Sequence, residues 1–113
     1  MERIDYDNLN RINKVVEFIN NNYSENHTIQ HYANICNMER KYFITVFKKY
    51  TGVSPQRYRT KLRIEKAKDL LVSNAMNNED VANAVGYSDP LYFSRVFKKY
   101  TGVSPRIFRE KNI

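Results

Sequence analysis

The side chains best placed for chemistry form two mostly polar rows, fifty positions apart in the chain. Within each row the members are three, four and seven positions apart, which places them on one face of a helix. Ammonium, guanidinium and hydroxyl groups in such a row bind anions and donate hydrogen bonds. The rows are Lys41, Ile44, Thr45 and Lys48 in the first copy, and Leu91, Ser94, Arg95 and Lys98 in the second.

Both rows lie in a repeated segment. Val46–Pro55 and Val96–Pro105 share the sequence VFKKYTGVSP. On the opposite side of each row, apolar residues recur at i, i+3, i+4 and i+7, the period of an amphipathic helix. These apolar residues are Phe43, Val46, Phe47 and Tyr50, and then Phe93, Val96, Phe97 and Tyr100.

The residues around each of these helices predict a helix-turn-helix. Gly52 and Gly102 can adopt the left-handed conformation that ends a helix, and a Ser-Pro pair then begins the next one. Upstream, a short helix is predicted before each turn, and Asn37 or Gly86 suits the positive φ of that turn. A short helix, a tight turn and a longer helix with a basic outer face are typical of this motif. The second turn is one residue longer than the first.

The predicted fold is all-α, with seven helices forming two helix-turn-helix subdomains joined by a long connector helix. Asp7 or Asn8 is expected to cap the first helix, and Asp89 the sixth. The connector has about 19 residues and a length of about 28 Å. Its basic residues, Arg57, Arg59, Lys61, Arg63, Lys66 and Lys68, are expected on the surface left by its apolar residues. The predicted helices are about 7–23, 28–36, 40–50, 54–72, 77–85, from 89, and from 104, and the subdomain bounds are 1–53, 54–73 and 74–113.

Charge is concentrated in the parts that carry the rows. The net charge is +7, but residues 40–68 carry +9 and residues 92–113 carry +5, whereas residues 1–39 and 69–91 are acidic. A surface adapted only for solubility mixes the two signs. This distribution favours two binding surfaces for a polyanion.

Other function classes find little support. No nucleophile triad, paired-carboxylate or Gly-rich phosphate signature is present, so we do not expect an enzyme, a cofactor or a bound metal. His27 and His31 are four positions apart, but no third ligand is placed to complete a metal site. Cys36 is the single cysteine and is expected to be a buried thiol. No signal peptide or membrane-spanning run is seen, which favours a cytoplasmic location.

The motifs resemble the DNA-binding domain of the AraC/XylS family of bacterial transcription regulators. The resemblance covers roughly residues 8–110. It is carried by FKKYTGVSP at Phe47–Pro55, by the connector residues from Tyr58 to Leu71, and by GYSDPLYFSRVFKKYTGVSP at Gly86–Pro105. It implies that both recognition helices, the second helix of each motif, enter successive major grooves of one DNA duplex.

The resemblance also implies roles for individual side chains. Positions that face base edges are Arg40, Lys41, Ile44 and Thr45 in the first unit, and Pro90, Leu91, Ser94 and Arg95 in the second. Positions that face phosphates are Lys48, Lys49, Ser54, Lys98, Lys99 and Ser104. RNA polymerase at a promoter is an expected further partner. We expect the segment to be monomeric and to be the C-terminal part of a larger regulator.

Three residues of the first unit depart from the family pattern. Ile44-Thr45 stands where many members have a small polar residue and an arginine, and Glu39 stands where a capping serine is usual. These differences weaken direct base recognition by the first helix, so the second unit is expected to read at least as much sequence. A basic helical module that binds RNA or an acidic protein is the alternative interpretation.

Overall fold

Seven helices follow one another in the computed structural model, which describes residues 3–73 and 75–112. No strand occurs within these two ranges, and the predicted all-α fold is confirmed. The helices are α1 (Tyr6–Asn21), α2 (Ile29–Ile35), α3 (Arg40–Thr51), α4 (Pro55–Ser73), α5 (Asn78–Ala84), α6 (Pro90–Thr101) and α7 (Pro105–Lys111).

Side-chain caps set where the helices begin. The prediction that Asp7 or Asn8 caps α1 was wrong, because the Asp5 carboxylate accepts the hydrogen bond from the Asn8 N–H at 3.1 Å. Asp7 instead lies in the first turn, where a negative charge is favoured by the helix dipole, and pairs with Arg11 at 3.1 Å. The predicted cap Asp89 of α6 is confirmed, and Ser104 caps α7 as the Ser-Pro pair indicates. Thr28 caps α2 and Asn77 caps α5.

The first compact unit ends at Arg59, and its core forms where α1, α2 and α3 pack against one another. The rings of Phe43 and Phe47 lie 5.6 Å apart on the buried face of α3. Tyr58, in the first turn of α4, meets Phe47 edge-on at 5.8 Å. The most deeply buried side chains here are Ile12, Val15, Ile19, Tyr32, Ala33, Phe43 and Phe47.

The second compact unit begins at Thr60 and repeats this packing. α6 packs against α5 and α7, and the rings of Phe93 and Phe97 lie 5.8 Å apart. Phe108 of α7 meets Phe97 edge-on at 5.4 Å, as Tyr58 meets Phe47. The most deeply buried side chains here are Ile64, Ala67, Leu71, Val81, Ala82, Val85, Phe93 and Phe97.

The internal repeat is longer than sequence identity indicates, because it includes the helix that precedes each helix-turn-helix. The buried residues of α1 correspond to buried residues of α4, each pair 52 positions apart. α4 therefore belongs to both copies: its first turn ends the first unit and its remainder begins the second. The pairs are Ile12 with Ile64, Val15 with Ala67, and Ile19 with Leu71.

The turns inside the two motifs close in the same way. Asn37 has φ of 54° and Gly86 has φ of 110°, which confirms the positive φ expected at both positions. After each of them, a backbone N–H reaches back to the carbonyl of the small alanine on the preceding helix. These bonds run from Met38 to Ala33 at 3.0 Å and from Tyr87 to Ala82 at 2.9 Å.

The extra residue of the second turn can be identified as Ser88. In the first turn, Met38 is followed directly by Glu39, the cap of α3. In the second, Ser88 separates Tyr87 from Asp89, the cap of α6. The insertion thus lies after the turn-closing hydrogen bond and immediately before the recognition helix.

The turn that ends each recognition helix is the same in both copies. Gly52 and Gly102 have φ of 85° and 87° in the predicted left-handed conformation. The Thr51 hydroxyl donates to the Phe47 carbonyl at 2.8 Å and accepts from the Val53 N–H at 3.3 Å. The same distances link Thr101 with Phe97 and Val103.

Two connector arginines do not face solvent as expected. Arg59 donates to the His27 carbonyl at 2.8 Å and to the Tyr32 hydroxyl at 3.1 Å. Arg63 is 4% exposed, and its guanidinium lies 5.1 Å from the centroid of the Tyr87 ring. The expected surface position was wrong for Arg63, since a planar guanidinium can be buried when it stacks on a ring, whereas Arg59 is half-buried.

Arg109 repeats the role of Arg59 in the second unit. It donates to the carbonyl of Met76 and, at 3.2 Å, to the side chain of Asn78. His27 and Met76 each precede the cap of the first helix of a helix-turn-helix. Both arginines therefore fix the start of that motif to the helix that follows the recognition helix.

Across residues 3–73 and 75–112, no helix is both long enough and apolar enough to cross a membrane.

Replacing Gly102 by alanine should destabilise the chain by about 1–2 kcal/mol, the cost of a left-handed conformation for a residue with a Cβ. An added Cβ would meet nothing within 4 Å, so the cost comes from the backbone alone. Chemical denaturation measures the change. Gly102→Asn should lose less, because asparagine tolerates this conformation better. Equal losses for the two variants would contradict the backbone explanation.

Candidate nucleic-acid interface

The buried phenylalanines of α3 and α6 determine which side chains face outward. On α3, Lys41, Thr45 and Lys48 are exposed and Ile44 is half-buried. Arg40, the first residue of α3, is exposed as well. Lys41, Thr45 and Lys48 occupy the side of the helix away from Phe43 and Phe47. Arg40 precedes Phe43 by three residues and therefore lies on the side nearer to the phenylalanines, apart from the other base-facing candidates.

The corresponding surface of α6 is more apolar at its start. Leu91 is 71% exposed, the largest exposure among the large hydrophobic side chains of the described residues. Arg95 is exposed, and Ser94 and Pro90 are half-buried. Leu91 is little buried by folding, and its place in the row with Arg95 makes it a candidate for contact with a ligand.

The hydroxyl proton of Thr45 is donated to a hydrogen bond within α3. Its hydroxyl donates to the carbonyl of Lys41 at 3.2 Å, one helical turn earlier. What Thr45 presents outward is therefore a methyl group and acceptor lone pairs. This differs from Arg95, at the equivalent position of α6, which presents only donors.

Glu39 caps α3, the role that a serine would be expected to fill. Its carboxylate accepts from the Tyr42 N–H at 3.0 Å. That N–H, followed by the Lys41 N–H and the nearby charges of Lys41 and Arg40, holds the pKa of Glu39 below its ordinary value of 4.5. The negative charge is thus engaged by the positive end of the helix, which reduces its repulsion of a nearby phosphate.

Basic side chains lie in the last turn of each recognition helix. Lys48 and Lys49 of α3, and Lys98 and Lys99 of α6, are exposed. A cation at this end is favoured by the helix dipole, so these lysines are compatible with helix stability as well as with anion binding. Lys49 also lies 5.7 Å from the centroid of the Tyr50 ring.

The two predicted phosphate-facing serines act as helix caps. The Ser54 hydroxyl accepts from the Arg57 N–H, and the Ser104 hydroxyl from the Ile107 N–H, both at 3.2 Å. Both residues are half-buried. Each cap uses the oxygen as an acceptor, and the hydroxyl proton is not used by the cap.

Three residues near the candidate surface were missed by sequence reasoning. Tyr42 is 51% exposed and Tyr92 is 54% exposed. Asn8, in the first turn of α1, donates from its side-chain amide to the Tyr42 hydroxyl at 2.8 Å. The available signal was that both tyrosines fall outside the apolar stripe, although an adjoining Phe makes them look like part of the core.

The histidines and the cysteine have structural surroundings. The rings of His27 and His31 stack at 4.4 Å beside Phe18, and Glu25 lies 3.3 Å from His27. Within the described residues, no three His, Cys, Asp or Glu side chains are grouped to hold a metal ion. Cys36 is buried as predicted, and burial raises the pKa of its thiol.

A protein-family comparison agrees with this architecture. A family model described as a helix-turn-helix domain matches residues 32–111, most of the chain. The fold is also that of a transcriptional regulator from Chromobacterium violaceum described as AraC-type, with a TM-score of 0.83 over 96% of each chain and 22% identity. The chain belongs to the AraC/XylS family of DNA-binding domains.

Other similar proteins are bacterial regulators. The C-terminal domain of AraT, a response regulator from Geobacillus stearothermophilus, superposes with a TM-score of 0.85 at 32% identity and covers 89% of this chain and 84% of its own. The raffinose operon transcriptional regulatory protein RafR of Pediococcus pentosaceus is 38% identical over 79 residues, 70% of this chain. That match spans 28% of RafR, so this AraC/XylS domain corresponds to little more than a quarter of that relative.

Removing the Glu39 cap should lower the melting temperature. Glu39→Ala leaves the Tyr42 N–H without its acceptor, and we expect a fall of roughly 4 °C, typical of a lost cap in a domain of this size. Glu39→Ser should retain most of the stability, because serine also caps. Thermal denaturation followed by circular dichroism measures both.

The Glu39 contribution should depend on pH. Because the folded-state pKa is lowered, the carboxylate stabilises the fold at pH values above the ordinary value of 4.5, and this contribution is lost as the pH falls through the lowered pKa. The gap between the wild type and Glu39→Ala should therefore be present at pH 7 and shrink in acid. A gap of constant size from pH 7 to pH 3 would show that the cap is not ionic.

Proposed function

We propose that this AraC/XylS domain binds double-stranded DNA at a specific sequence, with α3 and α6 each inserted in a major groove. The observation that carries the proposal is the pair of exposed rows, each held on the outer side of a recognition helix by buried phenylalanines. A recognition helix fits the major groove, where each base pair presents a distinct set of donors and acceptors.

α6 is proposed to recognise guanine and thymine. The guanidinium of Arg95 can donate two hydrogen bonds to guanine O6 and N7, which contributes about 1–3 kcal/mol of discrimination. Leu91 has no hydrogen-bonding group, and its exposed side chain suits the methyl group of thymine. Ser94 is a less selective partner, and Pro90 lies at the start of the helix next to Leu91.

α3 is proposed to have a different preference. Lys41 can donate to guanine, and Ile44 can contact a thymine methyl. Thr45 presents a methyl and an acceptor, because its proton is bonded to Lys41. That acceptor suits the amino group of adenine or cytosine. Arg40 is the remaining base-facing candidate in this unit.

Phosphate contacts are proposed to supply most of the sequence-independent affinity. The four lysines at the ends of α3 and α6 carry full charges in exposed positions, and Ser54 and Ser104 carry hydroxyls nearby in the chain. Neutralising phosphates releases counterions, so binding weakens as salt rises. The contributing residues are Lys48, Lys49, Ser54, Lys98, Lys99 and Ser104.

We propose that the domain is the DNA-binding part of a larger bacterial regulator in the cytoplasm. RafR, which is named for control of the raffinose operon, is far longer than the stretch that matches. The proposed role is binding without catalysis and without a cofactor. RNA polymerase is the proposed partner at the promoter, and the domain itself is proposed to act as a monomer.

The direct test is a mobility-shift assay with duplex DNA and with RNA at several salt concentrations. The probe is a duplex selected by the protein from a random pool, compared with an unrelated duplex and with RNA of equal length. Preference for the selected duplex at every salt concentration supports the proposal. Equal or tighter binding of RNA would overturn it in favour of an RNA-binding module.

Arg95→Ala and Lys98→Ala should have different effects on DNA binding. Arg95→Ala should lose about 1–3 kcal/mol on the selected duplex, since its contact is with a base, and bind the unrelated duplex nearly as before. Lys98→Ala should weaken binding to both duplexes and reduce the slope of log affinity against log salt by about one. Fluorescence anisotropy at four salt concentrations measures both quantities.

Lys14→Ala is the matched control for the loss of one positive charge. Lys14 is exposed on α1 and outside both rows. It should leave the salt slope close to that of the wild type. An equal loss for Arg95→Ala on both duplexes would remove Arg95 from base recognition, and an unchanged slope for Lys98→Ala would remove Lys98 from the phosphate contacts.

We further propose that both recognition helices engage one duplex, with residues 54–73 connecting subdomains 1–53 and 74–113. Hydroxyl-radical footprinting should then show two protected segments about one helical turn apart, or about 10 bp between centres. Leu91→Ala combined with Arg95→Ala should weaken one segment more than the other. Protection of a single groove segment in the wild type would contradict the use of two helices.

A further inference from the structure

Tyr42 and Tyr92 occupy equivalent positions in the two recognition helices and are both more than half exposed. Each precedes a buried phenylalanine by one residue, which turns it about 100° away from the core. Burial in the core therefore does not account for an aromatic ring in either place. The same residue in both copies, exposed to the same extent, indicates a task shared by α3 and α6.

Each tyrosine lies on a helix edge with residues already proposed to contact DNA. Lys49 follows Tyr42 by seven residues, or two turns, and Thr45 follows it by three. Lys99 and Arg95 stand in the same relation to Tyr92. The tyrosine thus lies beside the base-facing row, on the edge that continues to a phosphate-facing lysine.

The hydroxyl of Tyr42 is arranged as a hydrogen-bond donor. The side-chain amide of Asn8 donates to its oxygen at 2.8 Å, so the phenolic proton remains to be donated outward. The partner must then be an acceptor. On a DNA surface flanking the bases, phosphate oxygens are the acceptors, and tyrosine is among the side chains that bind them.

We propose that Tyr42 and Tyr92 each donate a hydrogen bond to a DNA phosphate, and that Asn8 holds the Tyr42 hydroxyl ready to do so. The inference rests on the proposed function. It adds two contacts from uncharged side chains to DNA phosphates, beside the contacts proposed for the lysines. Asn8 touches Tyr42 rather than DNA, so it is a positioning residue.

The two copies differ in how the hydroxyl is held. Thr60 corresponds to Asn8, each 52 positions from the other, but no hydrogen bond to the Tyr92 hydroxyl is found in residues 3–73 and 75–112. The Tyr92 ring instead lies 5.9 Å from the ring of Tyr87. The Tyr92 hydroxyl is therefore not held in place by a neighbouring side chain among the described residues, and fixing its direction on DNA binding costs entropy that the Asn8 hydrogen bond reduces for Tyr42.

The test compares hydroxyl deletions by anisotropy with the selected and the unrelated duplex. Tyr42→Phe should weaken binding by about tenfold, as expected for one hydrogen bond to a charged acceptor. The loss should be the same on both duplexes, since phosphate carries no sequence information. The salt slope should stay at the wild-type value, because no charge is removed. Tyr92→Phe should show the same pattern with a smaller loss.

Tyr50→Phe is the matched control on the same helix. The Tyr50 hydroxyl bonds the backbone of Asp5, accepting from its N–H at 3.2 Å and donating to its carbonyl at 3.3 Å. Deleting this hydroxyl should lower the melting temperature without a matching loss of DNA affinity. Binding is therefore measured well below the melting transition for every variant.

Asn8 is tested by a double-mutant cycle. Asn8→Ala alone should weaken DNA binding by about twofold to fivefold. This is less than the loss expected for Tyr42→Phe, because the Tyr42 hydroxyl is still present but no longer oriented. In the Tyr42→Phe background it should have no further effect. Asn8→Asp should lose at least as much as Asn8→Ala, because a carboxylate accepts the phenolic proton and repels phosphate.

Three results would overturn the inference: wild-type affinity for folded Tyr42→Phe, a loss confined to the selected duplex, or full additivity of the Asn8 and Tyr42 changes. Failure of the proposed function has a different signature. In that case Arg95→Ala and Lys98→Ala would also bind both duplexes like the wild type. If those two variants behave as expected and Tyr42→Phe does not, only the tyrosine contacts fail.

Discussion

The rotation of each recognition helix about its own axis is the constraint on which the candidate interface depends. On α3, Phe43 and Phe47 are completely buried, and on α6 Phe93 and Phe97 are 1% and 0% exposed. Truncating a buried phenylalanine costs about 3–5 kcal/mol, whereas a typical surface substitution costs about 0.5 kcal/mol or less. Core packing therefore decides which side faces outward, and the polar rows are free to differ between the copies.

Much of the fold could be predicted because its signals are local. The helix ends depend on glycine, proline and capping side chains that are read directly from the chain, and Asn37 and Gly86 are suited to positive φ by their type. The failures involve choices between similar residues or contacts distant in sequence. Asp5 and Asp7 are equally good caps by type, and packing selects the first. Arg63 looks like a surface cation until Tyr87, far along the chain, covers it.

The candidate interface was predictable at the level of position and less so at the level of chemistry. Helical periodicity alone put Lys41 and Arg95 on exposed faces, and both are exposed. Periodicity did not indicate that the Thr45 hydroxyl donates its proton to a carbonyl of its own helix. Nor did it indicate that Asn8 forms a hydrogen bond with Tyr42, 34 positions away in the chain. Such bonds depend on which rotamer and which neighbouring helix are present. The location of a row can therefore be predicted from the sequence, whereas the hydrogen-bonding groups that it presents are known only from the structure.

The single additional residue at Ser88 has a consequence for exchanging parts between the two halves. Within the helix-turn-helix, residues before Ser88 correspond at an offset of 49 and residues after it at an offset of 50, so one alignment cannot span the motif. A chimaera that transplants α6 in place of α3 must be joined at the capping residues, Glu39 and Asp89, where the copies come back into register. A junction made earlier would add or remove Ser88 and so change the length of the turn before the grafted helix.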